Sequence, residues 1–323
     1  MIRGYVNRGD RLQAVETALD RDDAFVWIDL ISPTQDEEAE IEARLGIDLP
    51  SREDMEEIEI SSRLYQDAGA VFMTANLPAQ TDEDHPVMAP VTFILAGPRL
   101  VTVRFHEPRA FVTFPLRASR VNLGCGTGEA VLVALLEAII DRLADVLERT
   151  GREIDACSHS VFRRTDGRPT VSRDFQGMLE ELGRKGDLTS NIRDSLVTLE
   201  RLIGYLGHVT LQRKSDSEIR ARMKTLGRDA RSLNDYVSFL SQKITFLLDA
   251  TLGMVTIEQN AIIKIFSVAA VAFLPPTLIA SIYGMNFQYM PELSWPYGYP
   301  LAIGLMVISA VLPYLYFKRR GWL

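Results

Sequence analysis

The 323-residue chain is short of several things. Its only cysteines are Cys125 and Cys157. Neither lies in a metal-ligand or redox spacing, which points away from a disulfide scaffold and towards a reducing compartment. The four histidines, His85, His106, His159 and His208, fall in no recognised catalytic spacing, and no glycine-rich phosphate loop occurs. No enzyme is expected, and each histidine reads as a surface or interface residue. The start, "MIRGYVNRGDRL", lacks the apolar core of a signal peptide, so most of the chain is expected in the cytoplasm. Bases are scarce early: residues 1–100 hold 21 Asp and Glu against 8 Lys and Arg, which concentrates the formal charge of −8 there. Such a face repels nucleic acid, and it either attracts cations or simply solvates the surface. Most telling, no Lys or Arg occurs between Lys264 and Lys318.

What is present changes character along the chain. The first part alternates short strands and helices. "AFVWIDL" (24–30) is β-branched and aromatic, and "SPTQDEEAEIEARLG" reads as a capped helix start, with Ser32 or Thr34 as the cap. "LPSREDMEEIEI" reads as a second helix and "SRLYQDAGAVFMTANLP" as strands. "VTFILAGPRLVTVRF" (91–105) reads as a hairpin turning at Gly97-Pro98. An α/β domain over residues 1–125 is expected, ending where "NLGCGTGE" breaks the pattern. Three- and four-residue apolar spacing then predicts antiparallel helices over 126–214. A stalk helix follows over 215–283, with no proline until Pro275.

Residues 265–283 and 299–317 are each 19 residues without a charge. At 1.5 Å per residue each spans about 28 Å, close to the hydrocarbon thickness of a bilayer. Lys264 at one end and "KRRGWL" (318–323) at the other place both flanks in the cytoplasm, leaving the loop 284–298 outside. Tyr289, Trp295, Tyr297 and Tyr299 suit an interfacial aromatic belt.

Two helices enclose no aqueous path, so a pore needs several copies around an axis. Steps of about 3.5 residues back from Thr277 pass through Leu274, Ala270, Ser267, Ile263, Asn260, Thr256, Gly253 and Asp249. Rings of Asp249, Asn260 and Thr277 would hold water and cations, while apolar rings at Ile263 and Leu274 would gate by dewetting. The same small residues equally suit close helix packing. Pro275-Pro276 withholds two N–H donors from the carbonyls of Val271 and Ala272, which fits either a wet pore or a packing kink. Asn286 follows Gly284-Met285. Magnesium gives up its water reluctantly, and neutral amide oxygens accept hydrogen bonds from that shell without gripping the ion.

The context of "YGMNFQYMPEL", between two apolar spans and before a terminal "YLYFKRRGWL", closely resembles the CorA family of divalent-cation transporters, whose hallmark is Tyr-Gly-Met-Asn at this place. The likeness extends through "IEQNAIIKIFSVAAVAFLPPTLIASIYGMN" and, more faintly, to "VWIDL", "SREDMEEIEISSRLY" and "VTFILAGPRLVTVRFHEP". It implies a funnel-shaped homopentamer in the inner (plasma) membrane, with both termini cytoplasmic. The stalk helix would line the pore and passive influx of hydrated Mg2+, with Co2+ and Ni2+ as lesser substrates, would follow. Mg2+ would be both cargo and regulator. Gly284, Met285 and Asn286 match the entrance filter, and Asp249, Asn260 and Thr277 match polar pore positions. Asn286, Asn260 and Asp249 would meet the ion through its water shell.

The resemblance has departures. Gln288 stands where many members have an acid, so Glu292 alone makes the outer loop negative. Ile263 and Leu274 stand where some relatives carry Met. The family's regulatory acids between subunits find no clear match; Asp229 is the nearest, and it reads better as a solvated stalk acid. Two other functions compete. A ZntB-like zinc transporter is the nearer, although "MPEL" after the motif favours magnesium. A membrane-anchored sensor or scaffold is the other; an anchor has no need of Asn260, Thr277 and Asn286 near one line.

Overall fold

Strand alternation sorts the N-terminal apolar residues onto two faces of one sheet. The computed structural model describes residues 1–9, 11–15, 25–83, 86–162, 174–213, 215–286, 288 and 290–321, with Leu293 as backbone only. His85 and Tyr289 lie outside these residues. The sheet comprises β1 (Ile2–Arg8), β2 (Arg11–Val15), β3 (Phe25–Ile31), β4 (Leu64–Asp67), β5 (Ala70–Ala79), β6 (Val87–Ala96) and β7 (Arg99–Arg104). Their order is β2-β1-β3-β7-β6-β5-β4, and every described neighbour pair is antiparallel except β3 with β7. On β5 the period of two sends Val71, Met73, Ala75 and Leu77 to one core and Ala70 and Phe72 to the other. The β6–β7 hairpin turns at Gly97, whose φ of 58° suits glycine.

Helices α1 (Gln35–Leu45) and α2 (Arg52–Glu56) cover the second core with Ile41 and Met55. Thr34 caps α1 in a full capping box with Glu37, which settles the choice between Ser32 and Thr34. The helix expected across "LPSREDMEEIEI" is broken. It stops at Glu56, runs extended through Glu57–Glu59, and resumes as one turn, α3 (Ile60–Arg63), partly within the stretch expected as strand. Only Met55 of this stretch is buried, and like charges three and four apart oppose a longer helix. Arg63 Nε instead donates to the Glu57 carbonyl.

The first core is covered by α4 (Arg109–Ala118), α5 (Gly128–Phe162), α6 (Phe175–Gln212) and the first part of α7 (Ser217–Tyr283). Phe111, Leu132, Leu196, Leu226 and Leu240 are among the side chains buried there. Within the sheet, Asp29 and Arg104 form a fully buried ion pair at 2.9 Å. Arg104 also donates to the His106 carbonyl, and Thr102 links Asp29 to the Trp27 indole. At the β5–β6 turn, Arg149, Arg142 and Arg109 converge on Asp82, whose carboxyl the guanidinium hydrogen bonds pull down to about 2. The chain divides into two compact units, Met1–Leu248 and Asp249–Leu323.

Candidate functional site

The second unit contains every residue expected at the filter and along the pore. Among the described residues, two helices are long and apolar enough to cross a membrane. They are α7, with a mean hydropathy of 2.0 over its most apolar window, and α8 (Gly298–Arg319), with 1.9. Their apolar windows are 6% buried. For a soluble protein that would leave large apolar area in water; a lipid environment removes the cost. Helix α7 runs through Pro275 and Pro276 without interruption. The Thr277 hydroxyl donates to the Phe273 carbonyl at 2.7 Å, and Thr256 does the same to Leu252 at 3.0 Å. Both hydroxyls keep lone pairs that accept from water.

Which side of α7 is free is clear from exposure. Val268 is buried, and Ala272, Pro275, Pro276, Ile279 and Tyr283 are half-buried. Asp249, Gly253, Thr256, Asn260, Ile263, Ala270, Leu274 and Thr277 are exposed, with Ser267 half-buried. At about 100° per residue, the second set is centred about 150° around the helix from the first. The stripe therefore faces away from the shielded side, with Ile263 60% and Leu274 66% exposed. Among the described residues, the side chains of Asp249 and Asn260 have no polar partner, and no three His, Cys, Asp or Glu side chains are gathered to chelate a metal. The donor set on one chain suits a hydrated ion held through water rather than a stripped one.

Helix α7 ends at the motif. Gly284 N–H donates to the Ala280 carbonyl at 2.9 Å and Met285 N–H to Ile282 at 3.3 Å. A Cβ on Gly284 would lie 3.1 Å from the Ala280 oxygen, so a side chain there requires the last helical turn to give by a few tenths of an ångström. Met285, Asn286, Gln288 and Glu292 are exposed, and the Asn286 amide engages no described residue. Asn286 thus makes no side-chain cap on α7.

Sequence reasoning passed over the residue that shapes the loop. Pro291–Ser294 forms a single 3-10 turn, and the Trp295 N–H donates to the Glu292 carbonyl at 3.3 Å. Gly298, the first residue of α8, is buried and donates to the Trp295 carbonyl at 3.0 Å. A Cβ there would overlap the Glu292 carbonyl oxygen. The available signal was a glycine opening an apolar helix in "WPYGYP". Trp295, Tyr297 and Tyr299 are exposed, as an interfacial belt requires. On α7, Asp229 is exposed and close enough to α5 to affect Asp141. The Asp141 carboxyl is pushed up mainly by burial, drawn down by Arg117, and raised again by Glu137, Asp145 and Asp229.

The family model described as "CorA-like Mg2+ transporter protein" matches residues 22–319. The chain belongs to this family. It is 36% identical over 326 residues to "Magnesium transport protein CorA" of Yersinia pseudotuberculosis, covering all of both chains. Among solved structures, it superposes on the CorA magnesium transporter of Methanocaldococcus jannaschii with a TM-score of 0.76 at 20% identity, covering 100% of this chain and 99% of that one. The ZntB cytoplasmic domain of Vibrio parahaemolyticus is more distant. Its TM-score is 0.52 at 9% identity, over 78% of this chain and 96% of that domain, and it shares the fold alone. The sheet-containing N-terminal part, the long helix and the two apolar C-terminal helices are those expected of the CorA fold.

Proposed function

We propose that several copies of this chain, as a homopentamer in the inner membrane, surround a pore that admits hydrated Mg2+ down its gradient, with Co2+ and Ni2+ as lesser cargo. The observation that carries this reading is the exposed stripe from Asp249 to Thr277, opposite the shielded side of α7. An anchor has no need of polar side chains along one line, and of these Thr277 lies within the uncharged span itself. Around an axis, the same line becomes alternating polar and apolar rings. Asn260 and Thr277 accept from the ion's water, Asp249 adds charge at one end, and Ile263 and Leu274 close the path by dewetting. Full-length relatives named for magnesium transport favour Mg2+ over the zinc branch. A transporter of this kind makes and breaks no covalent bond, so no enzymatic reaction is assigned.

Asn286, with Gly284 and Met285, forms the outer filter in this reading. Each amide hydrogen bond to a tightly held, charged water shell is worth roughly 1.5–3 kcal/mol. Gln288 adds no charge beside it, and Glu292 alone recruits cations. The base-free span from Lys264 to Lys318 supports both termini in the cytoplasm and the loop 284–298 outside. Cytoplasmic Mg2+ would act as regulator by bridging acids that otherwise repel one another, and flux unchanged between micromolar and millimolar internal Mg2+ would overturn that part.

The deciding experiment is Mg2+ uptake into liposomes by Asn286→Ala, Asn286→Gly and Asn286→Asp at matched assembly levels. Ala and Gly should both abolish or sharply reduce flux, and Asp should hold Mg2+ more tightly without passing it faster. Near-normal flux in Asn286→Gly would remove the filter role.

A further inference from the structure

Helix α6 carries Gly204 and Gly207 in its interior, where glycine is a poor helix former. Nothing lies within 4 Å of a Cβ built on either, so no contact within the chain calls for them. The space above them belongs to a groove of about 590 Å³ between α6 and the start of α7. Leu211 lies along it, 61% exposed. Its other wall is a basic face of α7, with Arg220, Lys224 and Arg228 spaced four apart. Among the described residues, the side chains of Arg220 and Lys224 engage no carboxylate. The one acid lining the groove, Glu200, is already bound by Arg231.

The break between α2 and α3 offers the complement. Glu57 and Glu59 have extended backbones, with φ/ψ of −58°/141° and −66°/135°. Between them Ile58 is 88% exposed. Neither the Glu57 nor the Glu59 carboxylate has a partner among the described residues. An extended tripeptide with one apolar side chain between two free acids matches an apolar, glycine-floored groove beside two free bases in shape and sign. Within one chain the two surfaces do not meet, since Ile58 is exposed and the groove is open.

We infer that Glu57-Ile58-Glu59 of one copy seats in the α6–α7 groove of the next copy. Ile58 lies over Gly204 and Gly207, and the two carboxylates face Arg220 and Lys224. The contact joins two different patches, so it is heterologous and propagates around a ring instead of closing as a dimer. The inference rests on the several-copy reading above and adds where the copies grip each other outside the membrane-spanning segments. Copies held together in the bilayer meet at high effective concentration, so a rim contact too weak to form between free subunits is filled there.

The test uses full-length protein in membranes, with Ile58→Cys and Gly207→Cys on one chain, mild oxidation, and native mass measured in parallel. Expected is a disulfide-linked ladder of dimers and higher species, absent with Ile58→Cys alone. Glu57→Lys with Glu59→Lys, or Arg220→Glu with Lys224→Glu, should each cut the ladder at least tenfold. Combining both reversals should restore it to within about twofold. A ladder indifferent to the reversals, one that stops at dimers, or capture of a different protein would overturn the docking. So would no ladder in a multi-subunit particle, which leaves the pore reading standing. A single-subunit particle would overturn both.

Discussion

Gly298→Ala places two physical effects in opposition at the loop that follows Asn286. Alanine is the better helix former, worth roughly 0.5–1 kcal/mol in a helix interior and less in a first turn. Against that, the new Cβ would overlap the Glu292 carbonyl oxygen, a backbone atom that cannot rotate away. Restoring ordinary contact moves it by about an ångström. That carbonyl also accepts from Trp295 N–H at 3.3 Å, and Gly298 N–H donates to Trp295 at 3.0 Å, so the 3-10 turn opens as the clash is relieved. Overpacking of this kind costs about 1–3 kcal/mol, so the clash outweighs propensity. If the turn must be intact to hold the filter, the fraction of competent loops falls by about fivefold to more than a hundredfold. The assay is Mg2+ uptake at matched assembly levels, with Gly304→Ala as the control in the same helix. Nothing lies within 4 Å of a Cβ on Gly304, so that variant should transport normally. Unchanged uptake by Gly298→Ala would show that this contact does not set the loop.

Three further outcomes are expected. Asp29→Asn strips the charge from a fully buried pair and should destabilise the N-terminal unit by about 3–5 kcal/mol in thermal or denaturant unfolding; Asp29→Leu with Arg104→Met should recover much of that loss. His106 is held below its ordinary pKa, chiefly by burial and also by Arg104, with its Nδ1 buried and unpartnered. The unfolded chain therefore takes up that proton first, and stability should be full above pH 6.5 and fall as pH drops below it; an unchanged pH slope in His106→Gln would refute this. Finally, a cysteine at any of positions 288–294 should react with an impermeant thiol reagent from outside intact cells, while one at Asp229 should not.

Much of the fold was legible in one dimension, because it rests on local periodicity and on solvent. The long helices α5, α6 and α7 follow from three- and four-residue apolar spacing, and two uncharged stretches are apolar enough to need lipid. The Gly97-Pro98 hairpin and a cap at Ser32 or Thr34 rest on the chemistry of a few adjacent residues. The stripe from Asp249 to Thr277 could be drawn from helical geometry alone. Where the chain departs from expectation, the deciding force was not local. The helix across "LPSREDMEEIEI" satisfies propensity, yet it breaks at Glu57 because only Met55 finds a core and Arg63 takes a carbonyl in place of a helical bond. Asp29 and Arg104 lie 75 residues apart, and only the parallel pairing of β3 with β7 brings them together. The role of Gly298 depends on a carbonyl six positions earlier folding back over it. Whether the α7 stripe faced a neighbour in its own chain or stood free depended on which side is shielded. Periodicity marks the faces of a helix, but packing chooses which one is covered.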